Sequence, residues 1–243
     1  MGGSKKYKGK LCVYCCNETA STADHVFPRE LFKIEKRDGI PKVPACKSCN
    51  NSKSKIEHYL ASVLPFAGNH EDSVETLSTE VPKRLRKNLK LRRELQSKYT
   101  YKNILYEDGD VENRMLIEFD YDALEQFIQY IGKALLYYHW DVYLPSDYDI
   151  FAFLPAKEGM DFVKQLFGLS SNKKVTYALG NDTVRYIGTM SESEDGLSVW
   201  AIQIFNGLTV SDGNVQNVVE QSFMVVITGP KKTIQGLRET FGT

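Results

Sequence analysis

The sequence predicts an α+β protein in three parts. A small finger occupies residues 1–66, a linker with a basic helix 67–100, and an accessory α+β domain with a mostly antiparallel sheet 101–243. Three observations carry this expectation. Four of the five cysteines form two C-x2-C pairs within the first 49 residues, Lys and Arg crowd the first hundred, and the remainder passes from helical to strand-like periodicity.

The chain has 243 residues, 42% hydrophobic and 26% charged, which is ordinary globular composition and excludes collagen-like, low-complexity and disordered classes. It contains no apolar run of about eighteen residues that would span a membrane. The opening MGGSKKYKGK is charged and glycine-rich with no apolar stretch behind it, unlike a secretory signal, so a cytoplasmic protein with no membrane partner is expected. The formal charge of zero conceals a split. Residues 1–100 carry 20 Lys and Arg against 11 Asp and Glu, whereas 101–243 carry 11 against 20. Nucleic acid, if bound, is therefore expected on the N-terminal part.

In the finger, Cys12 and Cys15 form CVYC, and Cys46 and Cys49 form CKSC. A disulfide framework suits a secreted chain rather than a reducing compartment, and a thioredoxin-type site needs one such pair at a helix start, not two thirty residues apart. Four thiolates holding one structural Zn2+ is the expected arrangement, with a closed shell that leaves no position for substrate. Cys16 is left over, as a small buried hydrophobe or a decoy ligand. STADHVF reads as a short strand, PRELFKIEK as a brief helix, and RDGIPKVPA as a turn-rich return. A helix follows from Asn50 to about Leu64, with Ile56, Leu60, Val63 and Leu64 on one face and Pro65 as its stop.

Residues 66–80 read as a polar linker, and a basic helix then opens at Pro82, with Leu85 and Leu89 on one side. KNILYEDGDVENRMLIEFD reads as a hairpin turning at Asp108-Gly109. Leu124, Phe127, Ile128, Ile131, Leu135 and Tyr138 recur at helical spacing and predict a core helix. Beyond Pro145, DIFAFL, VTYAL, TVRYIGTM, LSVWAIQIF and FMVVIT read as strands, interrupted by one helix over GMDFVKQLFG. No motif in this half points to a role.

Asp24-His25 lies between the two cysteine pairs, and Asn50 directly follows the last cysteine. In CVYC, TADHVFP and ACKSCNNSKS the sequence resembles the HNH endonucleases of the ββα-metal (His-Me finger) superfamily, over roughly residues 11–60. The resemblance implies a metal-dependent endonuclease in which His25 is the general base that activates water. Asp24 and Asn50 would hold one divalent ion, and their oxygen donors suit Mg2+ or Mn2+. Cleavage would leave 5′-phosphate and 3′-hydroxyl ends. Many members place an asparagine about five residues before the second cysteine pair, to orient the base through its backbone; Pro41 stands there, and its carbonyl can still accept from the imidazole. Such fingers are often fused to recognition domains in defence or mobile-element systems, a role open to residues 101–243.

Elsewhere, Lys53 and Lys55 are expected to hold phosphates, and Arg84, Arg86 and Lys87 of the basic segment to contact the DNA backbone. If that segment is only a solvated face, Lys42, Lys47, Lys53 and Lys55 must supply the positive field. Glu57 falls on the Asn50 face, where it would touch the ion or remain solvated. His58 and His70 read as surface or partly buried histidines, and His139 as a packing residue. DNA is the expected partner, with RNA second. The competing reading is a non-catalytic zinc finger that binds nucleic acid.

Overall fold

The computed structural model describes residues 5–105, 111–155, 157–169, 172–211, 218–221 and 223–241. The chain opens with a hairpin of β1 (Thr22–His25) and β2 (Lys42–Ala45), followed by the long helix α1 (Lys47–Ala67). The strands pair antiparallel, with Asp24 opposite Val43 and His25 opposite Lys42. Between them the expected short helix is two 3-10 turns, Arg29–Leu31 and Ile34–Lys36.

Two helices replace the expected linker and single basic helix: α2 (Glu71–Lys87) and α3 (Leu89–Lys98). α2 starts well before Pro82 because His70 caps it, Nδ1 accepting from the Asp72 N–H at 3.0 Å, and because its first turn is acidic and its last basic, in line with the helix dipole. Asn88 breaks the basic run and caps α3 through Leu91 N–H. Nor does Pro65 end α1, which continues to Ala67. A proline there cannot donate to the Ala61 carbonyl four residues back, and Arg84 Nη1 of α2 donates to that carbonyl instead.

The hairpin β3 (Tyr99–Leu105) and β4 (Val111–Ile117) follows, and its expected turn at Asp108-Gly109 lies outside the described residues. α4 (Tyr121–Trp140) coincides with the expected core helix. Asp120 caps it, and Asp141 ends it in the left-handed conformation.

β5 (Tyr148–Phe153), α5 (Lys157–Gly168), β6 (Asn172–Leu179), β7 (Val184–Ser191), β8 (Ser198–Ile204), β9 (Leu208–Ser211), β10 (Val218–Gln221), β11 (Met224–Pro230) and α6 (Lys231–Phe241) complete the chain. Five of these strands form an antiparallel sheet in the order β5-β11-β8-β7-β6. The two-stranded β9–β10 and the helix α6 were not expected from the sequence. The fold is α+β with mostly antiparallel sheets.

α4 covers one face of the five-stranded sheet, so closely that a Cβ on Gly132 would meet Val226 Cγ1 at 2.9 Å. Ile234 of α6 and Val163 of α5 pack on the other face against Phe151, Phe153 and Val225. The core on the α4 face of the sheet extends into the N-terminal hairpin. Val26, Phe27, Val43 and Leu60 join Phe127, Ile131, Trp200 and Val226 in one apolar cluster, and Phe27 stacks on Tyr186 with ring centroids 5.6 Å apart. The hydrophobic core is therefore continuous across the boundaries at 66 and 100.

A buried ion cluster fixes the same junction. Asp72 has no exposed side-chain surface; it accepts from Lys33 at 2.9 Å, Lys36 at 3.0 Å and the Thr183 hydroxyl at 2.6 Å. Burial alone would raise the carboxyl pKa, but the Thr183, Lys33 and Lys36 contacts outweigh it and hold the group at about 2. Because the folded value lies below the unfolded one, this stabilisation is present above about pH 4 and is lost as pH falls toward 2. Asp72→Asn is expected to cost roughly 2 kcal/mol in urea unfolding at pH 7 and about half of that near pH 3. An equal cost at both pH values would show that the charge of Asp72 contributes nothing.

Candidate functional site

The two C-x2-C pairs converge at one end of the hairpin. The first sits in a turn closed by Cys12 N–H on the Glu18 carbonyl at 2.8 Å and by Cys16 N–H on the Cys12 carbonyl at 2.9 Å. The second straddles the start of α1, where Cys46 is the N-cap and its Sγ accepts from Cys49 N–H. The four Sγ atoms of Cys12, Cys15, Cys46 and Cys49 all lie within 4.8 Å of one another, and Cys15 and Cys46 are 4.0 Å apart. Tetrahedral zinc with Zn–S bonds near 2.3 Å gives sulfur edges of about 3.8 Å, so the group can hold zinc with small movements.

Burial pushes the Cys12 and Cys49 thiols up. At Cys15 burial acts the same way, but the backbone N–H groups of Glu18 and Asn17 prevail and bring it down to about 7. Metal binding would thus release protons from Cys12 and Cys49, which ionise reluctantly without a cation, more than from Cys15. Cys16 stands outside the group, left-handed at φ 53°, with Sγ beside the Val13 and Leu144 carbonyls.

Strand alternation directs Thr22 and Asp24 toward α1 and His25 to the other side. Asp24 is only 7% exposed. Its Oδ2 accepts from the Tyr14 hydroxyl at 2.5 Å and from Lys53 Nζ at 3.0 Å. Lys53 is fully buried; its ammonium also donates to the His25 carbonyl at 2.8 Å and pairs with Glu57. Burial pushes the Glu57 carboxyl above its usual range against the pull of Lys53. Glu57 is thus neither solvated nor an ion ligand, but one member of a buried Asp24–Lys53–Glu57 cluster.

This arrangement corrects two expectations. Lys53 cannot hold a phosphate, since its ammonium lies in the interior among carboxylates. The residues also do not fit a divalent ion shared by Asp24 and Asn50: a lysine cation already sits on Asp24, and Asn50 Nδ2 donates to Thr22 Oγ1 at 3.0 Å. Pro41 offers its carbonyl as expected, yet Val26 N–H takes it at 2.8 Å.

His25 is half-buried. Burial lowers its pKa first, and the charges of Lys42, Arg29 and Lys53 lower it further against the opposing effect of Asp24. The imidazole is accordingly neutral near pH 7 and able to take a proton. Of the cations expected to meet DNA, Arg84 is spent inside the fold, with Nη1 on Ala61 and Nη2 on the Glu30 carbonyl at 2.8 Å. Lys55, Arg86 and Lys87 are exposed.

Tyr14 is the member of the buried cluster that sequence reasoning missed, and Glu57, named there as an ion contact or a solvated side chain, pairs with Lys53 instead. The spacing of Lys53 and Glu57, four residues apart on one helix, was the available signal. His58 is exposed, and His70 is the α2 cap. His139 stacks on Trp200 with its Nε2 3.1 Å from the Tyr186 hydroxyl, and burial holds its pKa down at about 4.

No family model, curated protein or solved structure matches the chain. Among the described residues, no helix is long and apolar enough to cross a membrane.

Proposed function

We propose that the chain is a phosphodiester hydrolase acting on DNA, an endonuclease of HNH type with His25 as general base. The observation that carries the reading is His25 itself: a half-exposed imidazole, held neutral by its surroundings, at the end of a hairpin tied down by a four-thiolate group and set in positive potential. In the reaction His25 takes a proton from water as the water oxygen bonds to phosphorus. The P–O3′ bond then breaks, and the departing oxygen is protonated from solvent, leaving 5′-phosphate and 3′-hydroxyl ends. Cys12, Cys15, Cys46 and Cys49 would hold a structural zinc that steadies the hairpin and supplies no chemistry to this step. Lys55, Arg86 and Lys87 provide exposed charge for the DNA backbone. A role in defence or mobile-element systems belongs to the same reading.

Plasmid cleavage by the zinc-loaded protein, with and without added Mg2+ or Mn2+, tests it. His25→Ala is expected to lower the rate about 10²-fold or more while leaving the thermal midpoint and DNA affinity nearly intact. Equal rates for the two proteins would remove His25 from the chemistry.

The second reading is a zinc-stabilised nucleic-acid-binding module without catalysis. It is favoured by Lys53, which neutralises the carboxylate expected to recruit an ion. Absence of cleavage under all metal conditions, with DNA still bound, would select it.

A further inference from the structure

Several cations around the hairpin are already engaged within the fold. Lys53 is held by Asp24 and Glu57, Lys33 and Lys36 by Asp72, and Arg84 by two backbone carbonyls. Lys42 and Arg29 differ. Both are exposed, and among the described residues neither has a carboxylate at ion-pair distance.

Both lie near His25, Arg29 four residues after it in the chain. Lys42 is its direct cross-strand partner in the hairpin. Antiparallel residues in that relation carry their side chains on one face with Cβ atoms about 5 Å apart. The backbone of Lys42 is fixed further by the Tyr7 hydroxyl, which donates to its carbonyl at 2.7 Å. Arg29 begins the 3-10 turn after Pro28, whose φ of −62° and ψ of 135° set the direction of the chain, and buried Leu31 anchors that turn. The exposed Arg29 side chain is thereby kept on the solvent side. The two charges are near enough to depress the His25 pKa. Unpaired like charges beside an imidazole repel one another in the free protein, and an anion placed among them relieves that repulsion.

We propose that Lys42 and Arg29 form the phosphate-holding pair of the site, binding the non-bridging oxygens of a DNA phosphodiester next to His25. This rests on the reading of His25 as the base of a phosphodiester hydrolase, and it gives the positive charge that such a reaction needs to two side chains of this chain. Arg29 offers planar paired donors to two oxygens, and Lys42 a compact point charge. Charge accumulating on the phosphate as water attacks strengthens both contacts.

The test uses His25→Ala protein, so that nothing is cut, and a short fluorescein-labelled duplex followed by anisotropy across a range of salt concentrations. Adding Lys42→Ala and Arg29→Ala together is expected to weaken binding and to flatten the dependence of log K on log salt by about 0.9, since the pair neutralises one phosphate. Lys173→Ala with Lys174→Ala, two exposed cations on β6, is the control pair and is expected to change neither quantity. With His25 intact, the Lys42/Arg29 double variant should lose more in kcat than in KM. An unchanged salt slope in that variant, or an equal loss in the control pair, overturns the proposal. The two readings fail separately. A flattened slope in a protein that never cleaves leaves the phosphate pair standing and removes hydrolysis, whereas cleavage with an unaltered slope does the reverse.

Discussion

Cys46→Ala is expected to empty the four-cysteine group of zinc and to unfold the hairpin with the first turns of α1. Cys46 contributes twice, as a thiolate ligand and as the N-cap whose Sγ accepts from Cys49 N–H. Structural zinc in isolated fingers contributes an apparent 10 to 16 kcal/mol at pH 7, roughly. The loss here should be smaller, because Val26, Phe27 and Val43 also pack against α4 and the sheet. A cost of at least ~4 kcal/mol and a fall of about 10 °C in thermal midpoint are expected. The five-stranded sheet, with its own second core under α5 and α6, should keep its far-UV circular dichroism. Cys16→Ser, outside the group, should leave one zinc per chain. Elemental analysis finding no zinc in freshly purified wild type, or normal zinc in Cys46→Ala, would sink the assignment.

The cysteine group was legible because its geometry is local: two short turns, each presenting a pair of thiols, need only be brought together once. Strand and helix periodicity likewise located β1, α4 and most of the five-stranded sheet. What escaped depends on contacts between distant segments. Pro65 reads as a helix stop by the ordinary rule, and only the arrival of Arg84 from α2 supplies the donor that proline lacks. Residues 71–80 contain too few apolar residues for a helical stripe, and that helix rests instead on the His70 cap and the burial of Asp72. The three-part division missed the shared core because Phe27 and Trp200 lie far apart in sequence. Asp24 and Asn50 stand out by their places in the sequence, but strand alternation and the arrival of Lys53 decided what each one touches.

Lys53 carries the other large effect. Lys53→Met keeps much of the volume and the apolar stem but removes the charge from between Asp24 and Glu57, both of which are nearly enclosed. Breaking a buried ion pair on one side typically costs about 3 to 5 kcal/mol, because the remaining charge is left without solvent or partner. A cost of that size is expected in urea unfolding at pH 7. The pH dependence has a definite sign. The Glu57 carboxyl is already raised by burial, and losing Lys53 raises it further, so the folded variant binds more protons than the unfolded chain. Its stability should therefore improve as pH falls from neutrality toward the unfolded carboxylate range and worsen as pH rises. Adding Asp24→Asn and Glu57→Gln removes both stranded charges, and the triple variant should regain most of the loss, since the penalty lies in unpaired charge rather than in missing contact area. If Lys53→Met unfolds at the same urea concentration as wild type, the ammonium is not the partner of these carboxylates in solution. Asp24 would then be free to receive a divalent ion, and Mn2+ binding that disappears in Asp24→Asn would establish that ligand role directly.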